Sequence, residues 1–513
     1  MNSKNTKLST SDLATFCKKK GFVFQCAEIY GGFSGFFDFG PLGVELKQNI
    51  KQAYWKHFVH KREDIVGQDG SIITNPSVWK ASGHVDNFGD LVLTTKDTKT
   101  KLRADHFIED TLNIPGDALT ADDINTLIIE HKLTYKGEEF EEVKDFNLMF
   151  QTQVGADTTK NATAYLRPET AQSIFPNFKS ISEVSRLQLP FGITQIGKAY
   201  RNEISPRDFV FRCREFEQIE MEYFFHPNSA CSQLTNKHLE LKLNVLTAKA
   251  QEEDSEEMTM MTIKELLEED SFNLNSYHAY FLADFYMWFR NVLGLSSENM
   301  RIREHTSTEL SHYSKATFDI DYKYPMGFKE LLGMANRTNF DLTQHQTHSK
   351  SKLEIFDEES KSKLLPHVIE PSFGIERAMM AVIMEAYNDD KVRGNIVMKF
   401  KPQLSPHKVA VLPLMNKDSL PIVAREIFNE LLEEDIVAVY DKSGSVGKRY
   451  ARNDEIGTAY CITIDYETIE DGENKDTVTI RNRDTQEQKR VHKDKLVQVI
   501  RDLLKEKITF EKL

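Results

Sequence analysis

The chain has 513 residues, which at roughly 150 residues per domain makes about three compact units and excludes a single small binding module. Apolar residues are 40% and charged residues 28% of the total, with 33 Phe, 17 Tyr and 3 Trp, enough to fill a large core and too much for a disordered chain. Lys and Arg number 65 against 79 Asp and Glu, a net charge of -14, so a polyanion held by bulk charge is excluded and any nucleic acid must meet a local basic patch.

The N-terminal stretch MNSKNTKLSTSDLATFCKKKG lacks the apolar core of a signal peptide, and no window holds the roughly 18 apolar residues of a membrane span. A cytoplasmic protein with no membrane partner is expected. Cysteines at 17, 26, 213, 231 and 461 contain no C-x-x-C pair, which argues against a disulfide framework or a four-thiolate zinc site. The run GGFSGFFDFGPLG at 31–43 sets five glycines among aromatic residues; it is neither a dinucleotide fingerprint nor a P-loop, and reads as a tight apolar turn. Pro41 then opens a predicted amphipathic helix carrying Leu42, Leu46, Ile50, Tyr54 and Phe58 on one side.

Residues 1–89 read as the first part of a core domain that resumes over 156–227 and 277–400. Residues 90–155, short amphipathic pieces rich in Lys, Asp and Glu, read as an insertion. A second insertion is placed at 228–276, where 252–270 holds nine carboxylates and one lysine. That run reads as a solvated helix, with a contact to a partner as the alternative.

Beyond KFKPQLSPHK, strand-like KVAVLPL, DIVAVYD and TAYCITID alternate with helical patterns at 420–432 and 446–456, predicting a parallel-sheet α/β domain over 405–513. Its closing part, 481–507, has nine basic and five acidic residues, a solvated face or a nucleic-acid patch. GSVGKRY is not a Walker loop, because its glycines are too close and neither Ser nor Thr follows Lys448.

The most informative segment is ITQIGKAYRNEISPRDFVFRCREFEQIEMEYFF, 193–225. Two strand-like arms flank a polar turn at 205–208, which predicts a long antiparallel hairpin. Residues two apart share a strand face. That places Arg201 beside Glu203 on one arm and aligns Arg212, Arg214, Phe216, Gln218 and Glu220 on the other. The opposite face carries Ile219, Met221 and Tyr223, interrupted by Glu215 and Glu217. Guanidinium groups match phosphate oxygens bidentately and an aromatic ring stacks a base, so the first face has the parts to hold a nucleoside triphosphate. A surface hairpin with paired charges is the alternative. Cys213 is expected on the opposite strand face, away from a thiolate role. In HVIEPSFGIERAMMAVIMEAY a strand breaks at Gly374 into a helix, with Glu370 and Ser372 on one strand face. Arg377 stands at the helix start, against the macrodipole; an anionic ligand or an ion pair with a carboxylate would explain it. His345 and His348 have no third ligand nearby, so zinc is not expected.

The pattern Arg201-x-Glu203, loop, Arg212-x-x-x-Phe216-x-x-x-Glu220 resembles motif 2 of class II aminoacyl-tRNA synthetases, and Gly374-Ile-Glu-Arg377 resembles their motif 3. With LRADH (102–106), RPETAQ (167–172), RNE (201–203), FRCREFEQIE (211–220), KELLGMANRTNFDL (329–342), EPSFGIER (370–377) and GKRYARNDEIG (447–457), the chain resembles the dimeric type of glycyl-tRNA synthetase over nearly its whole length apart from the two insertions. The resemblance implies an α+β fold: a class II antiparallel-sheet catalytic domain with insertions, plus a C-terminal α/β anticodon-binding domain. It also implies a homodimer formed around the helix after Pro41 and the strand toward Pro76. The reaction implied is activation of glycine with ATP to glycyl-adenylate and pyrophosphate, then transfer of glycine to the 3'-terminal ribose of tRNA-Gly, with Mg2+ as cofactor.

By the same resemblance Arg201 and Arg377 would be catalytic. ATP would be held by Arg201, Asn202, Glu203, Phe211, Arg212, Arg214, Glu215 and Phe216, by Glu330 and Leu331, and by Gly374, Ile375, Glu376 and Arg377. Arg201 would meet the α-phosphate and the glycine carboxylate, Glu203 the adenine amino group and Arg212 the γ-phosphate. Phe216 and Arg377 would cover the two faces of adenine, and Glu330 would hold magnesium. Glycine would be bound by Arg103, Glu169, Phe216, Glu217, Gln218, Glu220, Glu370 and Ser372. Of these, Glu169, Glu220 and Glu370 would gather on the ammonium, and Ser372 would help crowd Cα until a methyl group cannot enter. Two rivals remain: a noncatalytic relative that keeps the fold and binds nucleic acid, disfavoured by Arg201, Glu203, Arg212, Phe216 and Arg377 together, and a class II synthetase for serine, threonine or proline, disfavoured by RPETAQ and EPS.

Overall fold

The computed structural model describes residues 8–114, 116, 119–156, 163–311, 314–358 and 360–513. Its spine is a nine-stranded sheet made of β1 (Ile65–Gln68), β2 (Phe191–Tyr200), β3 (Glu215–Phe225), β4 (Lys242–Leu246), β5 (Thr259–Thr262), β6 (Met300–Glu304), β7 (Thr317–Tyr324), β8 (Gly327–Thr338) and β9 (His367–Gly374), in the order β5-β4-β6-β7-β8-β9-β3-β2-β1. Neighbours are antiparallel except β1 with β2 and β4 with β6. An antiparallel-rich sheet with helices on its faces is the α+β class that the motifs imply.

The hairpin pairs from Glu215 with Tyr200 down to Phe224 with Phe191, and β9 lies on its other side, with Gln218 opposite Gly374. Alternation sends Ile219, Met221, Tyr223 and Phe225 of β3 toward helices α1 (Pro41–Trp55) and α2 (Ser276–Trp288). Every residue of α2 from Tyr277 to Trp288 is buried, as a helix apolar on all sides must be; its Phe281 meets Tyr223 at 4.7 Å and its Tyr277 meets Phe225 at 4.6 Å between ring centroids. Helix α1 begins at Pro41 as its pattern predicts and buries Leu42, Leu46, Ile50 and Tyr54. A π-turn, Lys56–His60, then turns Phe58 inward onto Phe285, 4.2 Å away. The preceding glycine-rich turn is tight for a reason visible at Gly43: a Cβ there would lie 1.9 Å from the carbonyl oxygen of Phe22, so the helix can rest on that backbone only where a side chain is missing.

Glu215 and Glu217, which break the apolar alternation of β3, are both paired, Glu217 with α1 and Glu215 with the neighbouring strand β2. Glu217 lies 3.0 Å from Lys47 Nζ and 2.8 Å from Lys51 Nζ, and Glu215 lies 2.8 Å from Lys198 Nζ. The expected turn at 205–208 is longer than its sequence pattern. Residues 201–214 lie outside both strands and include a 3-10 turn at Phe209–Phe211, so Arg201, Glu203, Arg212 and Arg214 belong to a loop.

Residues 228–276 do not stand apart from the core, because β4 and β5 extend the same sheet. The acidic run is likewise not one helix. It divides into the end of a short helix, Ala248–Glu252, then β5, then a helix at Ile263–Glu268. The break follows from Thr262, whose capping box with Glu265 starts a new helix. Residues 89–147 form a small body of their own: strands Gly89–Thr94, Lys101–Arg103 and Lys144–Asn147 backed by two helices around Leu93, Ile108, Ile124 and Phe140.

The C-terminal domain follows its sequence pattern at first. Ala438–Tyr440, Val409–Pro413 and Tyr460–Ile464 are parallel, joined through helices Leu420–Glu433 and Val446–Ile456. Two further strands, Thr477–Asn482 and Gln488–His492, add antiparallel and were not foreseen. Part of the basic excess at the end is structural: Arg481 grips Asp454 at 2.8 and 2.9 Å, and buried Arg483 donates to the carbonyls of Phe400 and Gly457.

Candidate active site

A cavity of about 500 Å³ opens on the face of β3, β8 and β9 turned away from α1 and α2. The even-numbered residues Phe216, Gln218 and Glu220 of β3 line it, together with Glu370 and Ser372 of β9 and Arg337 of β8. The sheet therefore delivers the predicted β3 and β9 residues to one floor. Its two ends carry opposite charge.

At the carboxylate end Glu220 is buried and fully engaged. One oxygen accepts from the Thr170 N–H (2.7 Å), the Thr170 hydroxyl (2.5 Å) and the Ala171 N–H (2.5 Å). The other accepts from Gln218 Nε2 (2.6 Å) and Ser372 Oγ (3.0 Å). Glu370 accepts from Arg337 at 2.8 Å, and the same guanidinium holds Asp341 of helix α3 (Phe340–Ser349) at 2.7 and 2.8 Å. Glu169 lies 3.3 Å from His84 Nε2 and accepts from Gln172 at 3.2 Å, while Gln172 also donates to Asp341 at 3.0 Å. His345, weighed above as a metal ligand, instead lies 2.8 Å from Gln172 Oε1.

The three carboxyls are not equivalent. Burial opposes the charge of Glu169, but His84, then Arg337 and Arg201, outweigh it and hold its carboxyl well below the ordinary range. Burial raises Glu220, and the Glu169 charge adds to that. Burial pushes Glu370 up to about 8 against the pull of Arg337, helped by Glu220 and Glu169.

At the other end guanidinium groups collect. Arg201 donates to the Pro168 carbonyl (3.0 Å) and lies over both Phe88 and Phe216, 5.5 and 5.4 Å from their centroids. Arg103 pairs with Asp105 (2.6 Å) and Asp90 (3.5 Å). Arg377, at the start of helix α4 (Ile375–Ala386), sits 4.3 Å over Phe211 and 3.2 Å from the Glu330 carboxylate. Both Phe211 and Glu330 line the cavity as expected. The phenyl ring against Arg377 is thus that of Phe211, whereas Phe216 contacts Arg201. Burial lowers the pKa of Arg212 against the attraction of Glu203, and Arg103, Arg377 and Arg207 lower it further. Arg201 and Arg212 make no ion pair among the described residues. Like charges gathered in a half-enclosed cavity call for an anion.

Several expected contacts lie elsewhere. Asn202 does not line the cavity; its N–H donates to the Leu148 carbonyl at 2.7 Å. Arg214 also turns away and braces the loop through the carbonyls of Glu203 (2.8 and 3.0 Å) and Ser34 (3.0 Å). Glu215 and Glu217 occupy the α1 side described above. Leu331 and Ile375 are fully buried core residues. Glu376 borders the cavity beside Gly374, but its carboxylate points back to Lys47 (2.6 Å) and the Glu217 N–H (2.9 Å). Glu203 and Arg103 line the cavity. Cys213 lines it too, because the loop places it independently of strand alternation; its thiol donates to the Val210 carbonyl and burial raises its pKa, so it offers no thiolate.

Two carboxylates flank one gap beside Gly333: a Cβ there would lie 3.5 Å from Asp319 Oδ1 and 3.7 Å from Glu330 Oε1. Asp319 is fixed through its other oxygen by His305 (2.9 Å) and Arg303 (2.6 Å). Among the described residues there is no group of three or more His, Cys, Asp or Glu that could hold a metal. Two carboxylate oxygens on one gap nevertheless fit the hard-oxygen ligands that suit Mg2+.

Residues 150–387 match the family model described as the tRNA synthetase class II core domain (G, H, P, S and T), and residues 408–503 match the anticodon binding domain. The chain is 40% identical over 507 residues to the glycine-tRNA ligase of Borreliella burgdorferi, covering 98% of this chain and 99% of that one. It is 43% identical over 489 residues to that of Ureaplasma parvum (94% and 93% covered) and 41% over 511 residues to that of Clostridium kluyveri (97% and 98%). The chain belongs to the glycine-tRNA ligase family. For a glycine-tRNA ligase the sequence reading left four parts of the site without a role: Arg337, Asp319, His84 and Gln172. Arg337 was the most accessible of these, since Asp341 stands four residues after it inside a quoted motif. Asp319 and His84 lie outside every quoted motif and are joined to the site only by the fold. Among the described residues no helix is long and apolar enough to cross a membrane.

Proposed function

We propose that the protein activates glycine with ATP and transfers it to tRNA-Gly, with the cavity as the seat of both steps. The observation that carries this reading is the cavity's polarity, a cluster of guanidiniums at one end, with Arg212 in no ion pair among the described residues, and buried carboxyls at the other, with Arg201 between them beside Phe216 and Pro168. An oxygen of the glycine carboxylate attacks the α-phosphorus, the bond to the bridging oxygen breaks, and pyrophosphate leaves with that electron pair. A terminal ribose hydroxyl of tRNA then attacks the carbonyl of glycyl-adenylate, and AMP leaves. Phosphoryl transfer of this kind asks the protein for orientation and for neutralisation of charge. Arg201 supplies that on the α-phosphate, and Arg212 meets the distal phosphates. A base lies against Phe216 and the Arg377–Phe211 pair, with Glu203 facing its amino group. Mg2+ held by Glu330 with Asp319 would supply further neutralisation of the departing pyrophosphate.

Glycine selection works by exclusion. Glu169, Glu220 and Glu370 receive the ammonium, and Ser372, tied to Glu220 and Gln218, closes the space next to Cα. Favourable contact with one methylene separates substrates by only about 1–3 kcal/mol, so a clash is the stronger device. The C-terminal domain reads the anticodon. Two copies pair along α1, where an open groove of about 770 Å³ runs past Trp55 and Ile196, and the enzyme works in the cytoplasm. Amino-acid-dependent ATP/pyrophosphate exchange across all twenty amino acids tests the reading. Exchange with glycine alone supports it, exchange with none returns the noncatalytic alternative, and exchange with another amino acid reassigns the substrate.

A further inference from the structure

One buried carboxyl beneath the cavity has no part in the chemistry above. Glu222 follows Glu220 by two residues on the cavity face of β3. The register that sets Glu220 opposite Ser372 and Tyr223 opposite Ile369 puts Glu222 directly across from Glu370. On its other flank the partner is Ile193 of β2, and the same face continues into Phe224 and Val368. Glu222 is 0% exposed, and neither of its carboxyl oxygens has a hydrogen-bond partner among the described residues.

The charged groups facing it come from four elements. Glu220 shares its strand, Glu370 faces it from β9, Arg337 from β8 and Asp341 from α3. Arg337 already answers two of these carboxyls, Glu370 at 2.8 Å and Asp341 through two contacts. A third negative charge at Glu222 would lie between an acid and an apolar cluster with no donor to meet it, an arrangement that proteins avoid by protonation. Like charges directly opposite on neighbouring strands also repel.

We propose that Glu222 is a permanently protonated, neutral acid that positions Glu370: by staying uncharged it leaves Arg337 committed to Glu370 and keeps that carboxyl free to ionise when an ammonium group enters the cup. Burial, followed by the Glu370 charge, moves the Glu222 pKa in the direction this requires. The ligand half of the proposal rests on the glycine reading; the protonation of Glu222 does not.

Infrared spectra of protein carrying carbon-13 glutamate, each taken as the labelled-minus-unlabelled difference at pH 8.5, once without and once with a nonhydrolysable glycyl-adenylate mimic, test both halves. The expected result is one isotope-shifted carbonyl band of a protonated carboxyl that persists with the mimic bound and vanishes in Glu222→Gln. A raised carboxyl pKa in the folded state means that the folded form binds more protons, so stability falls as pH rises above the unfolded value. Between pH 5.5 and 8.5 the melting temperature of Glu222→Gln should therefore fall by measurably less than that of the wild type, the remaining fall belonging to Glu370 and Glu220. Absence of any persisting band in the wild type overturns the proposal. So does a tenfold rise in the KM for glycine in Glu222→Gln with the KM for ATP unmoved, since that would make Glu222 an ionised fourth wall of the cup. Should Glu222→Gln fail to fold, Glu222→Met takes its place, and a band that survives there overturns the assignment to Glu222. Calorimetry showing that the mimic does not bind would fault the glycine reading and leave the Glu222 band as a separate result.

Discussion

The two ends of the cavity are built on opposite plans. At the carboxylate end each group is tied to the scaffold: Glu220 accepts five hydrogen bonds, and Arg337 clamps Glu370 to Asp341. At the guanidinium end Arg201 is held by one backbone carbonyl and two aromatic rings, and Arg212 makes no ion pair among the described residues, attracted by Glu203 but repelled by Arg103, Arg377 and Arg207. The smallest amino acid can be recognised only by a rigid enclosure, whereas a triphosphate supplies enough charge to organise its own cations. On the proposed reading, fixed structure is thus concentrated where the ligand is small, and unneutralised charge where the ligand is large.

The sharpest way to break this contrast is Arg337→Met. Leaving Glu370 and Asp341 buried without their cation is expected to destabilise the protein by about 3–5 kcal/mol, measured by denaturant unfolding; a loss under about 1 kcal/mol would show that the enclosure does not depend on that clamp. Arg201→Ala should do the reverse. Pyrophosphate exchange should drop by about 100- to 1000-fold while the unfolding midpoint stays near that of the wild type, and a large fall in stability would mean that the two ends are not differently built. Ser372→Ala is next: activation of alanine relative to glycine is expected to rise about tenfold, within the range of a single methyl-sized contact, and an unchanged ratio in exchange assays would remove Ser372 from the exclusion. The mildest effect concerns pH. Glu370 is raised to about 8, so the form that attracts the ammonium becomes populated only as pH rises toward and past that value. The kcat/KM for glycine should increase by roughly eightfold from pH 7 to 8.5, and Glu370→Gln should flatten the curve at a low level; a wild-type profile with no such rise would show that Glu370 is ionised throughout.

How much of this was legible beforehand depended on range along the chain. The arms of the hairpin, the helix from Pro41 and the first half of the C-terminal domain all follow periodicities that a short window contains, and their structures agree. The loop 201–214 does not, because its shape is fixed by Arg214 gripping the carbonyls of Glu203 and Ser34 and by Asn202 reaching Leu148. The same contacts removed Asn202 and Arg214 from the cavity. Glu215 and Glu217 were assigned to ligands from motif position alone, although period-two alternation already set them opposite Phe216 and Gln218; Lys47 and Lys51 explain why charge is tolerated there. The edge strand β5 was hidden by flanking acidic residues that mark turns and helix caps rather than a single helix. His84 and Glu169 are joined by no local pattern, so only the folded chain brings them together.

The small body at 89–147 departs from the core at Phe88 and returns at Leu148, and those two residues are hydrogen-bonded to each other, the Leu148 N–H donating to the Phe88 carbonyl at 3.0 Å. A doorway so narrow lets that module lengthen, shrink or be exchanged without dragging the main sheet along. Yet its doorposts are also the ring under Arg201 and the carbonyl that steadies Asn202. The module's attachment therefore touches Arg201 directly, the residue proposed to meet both nucleotide and amino acid.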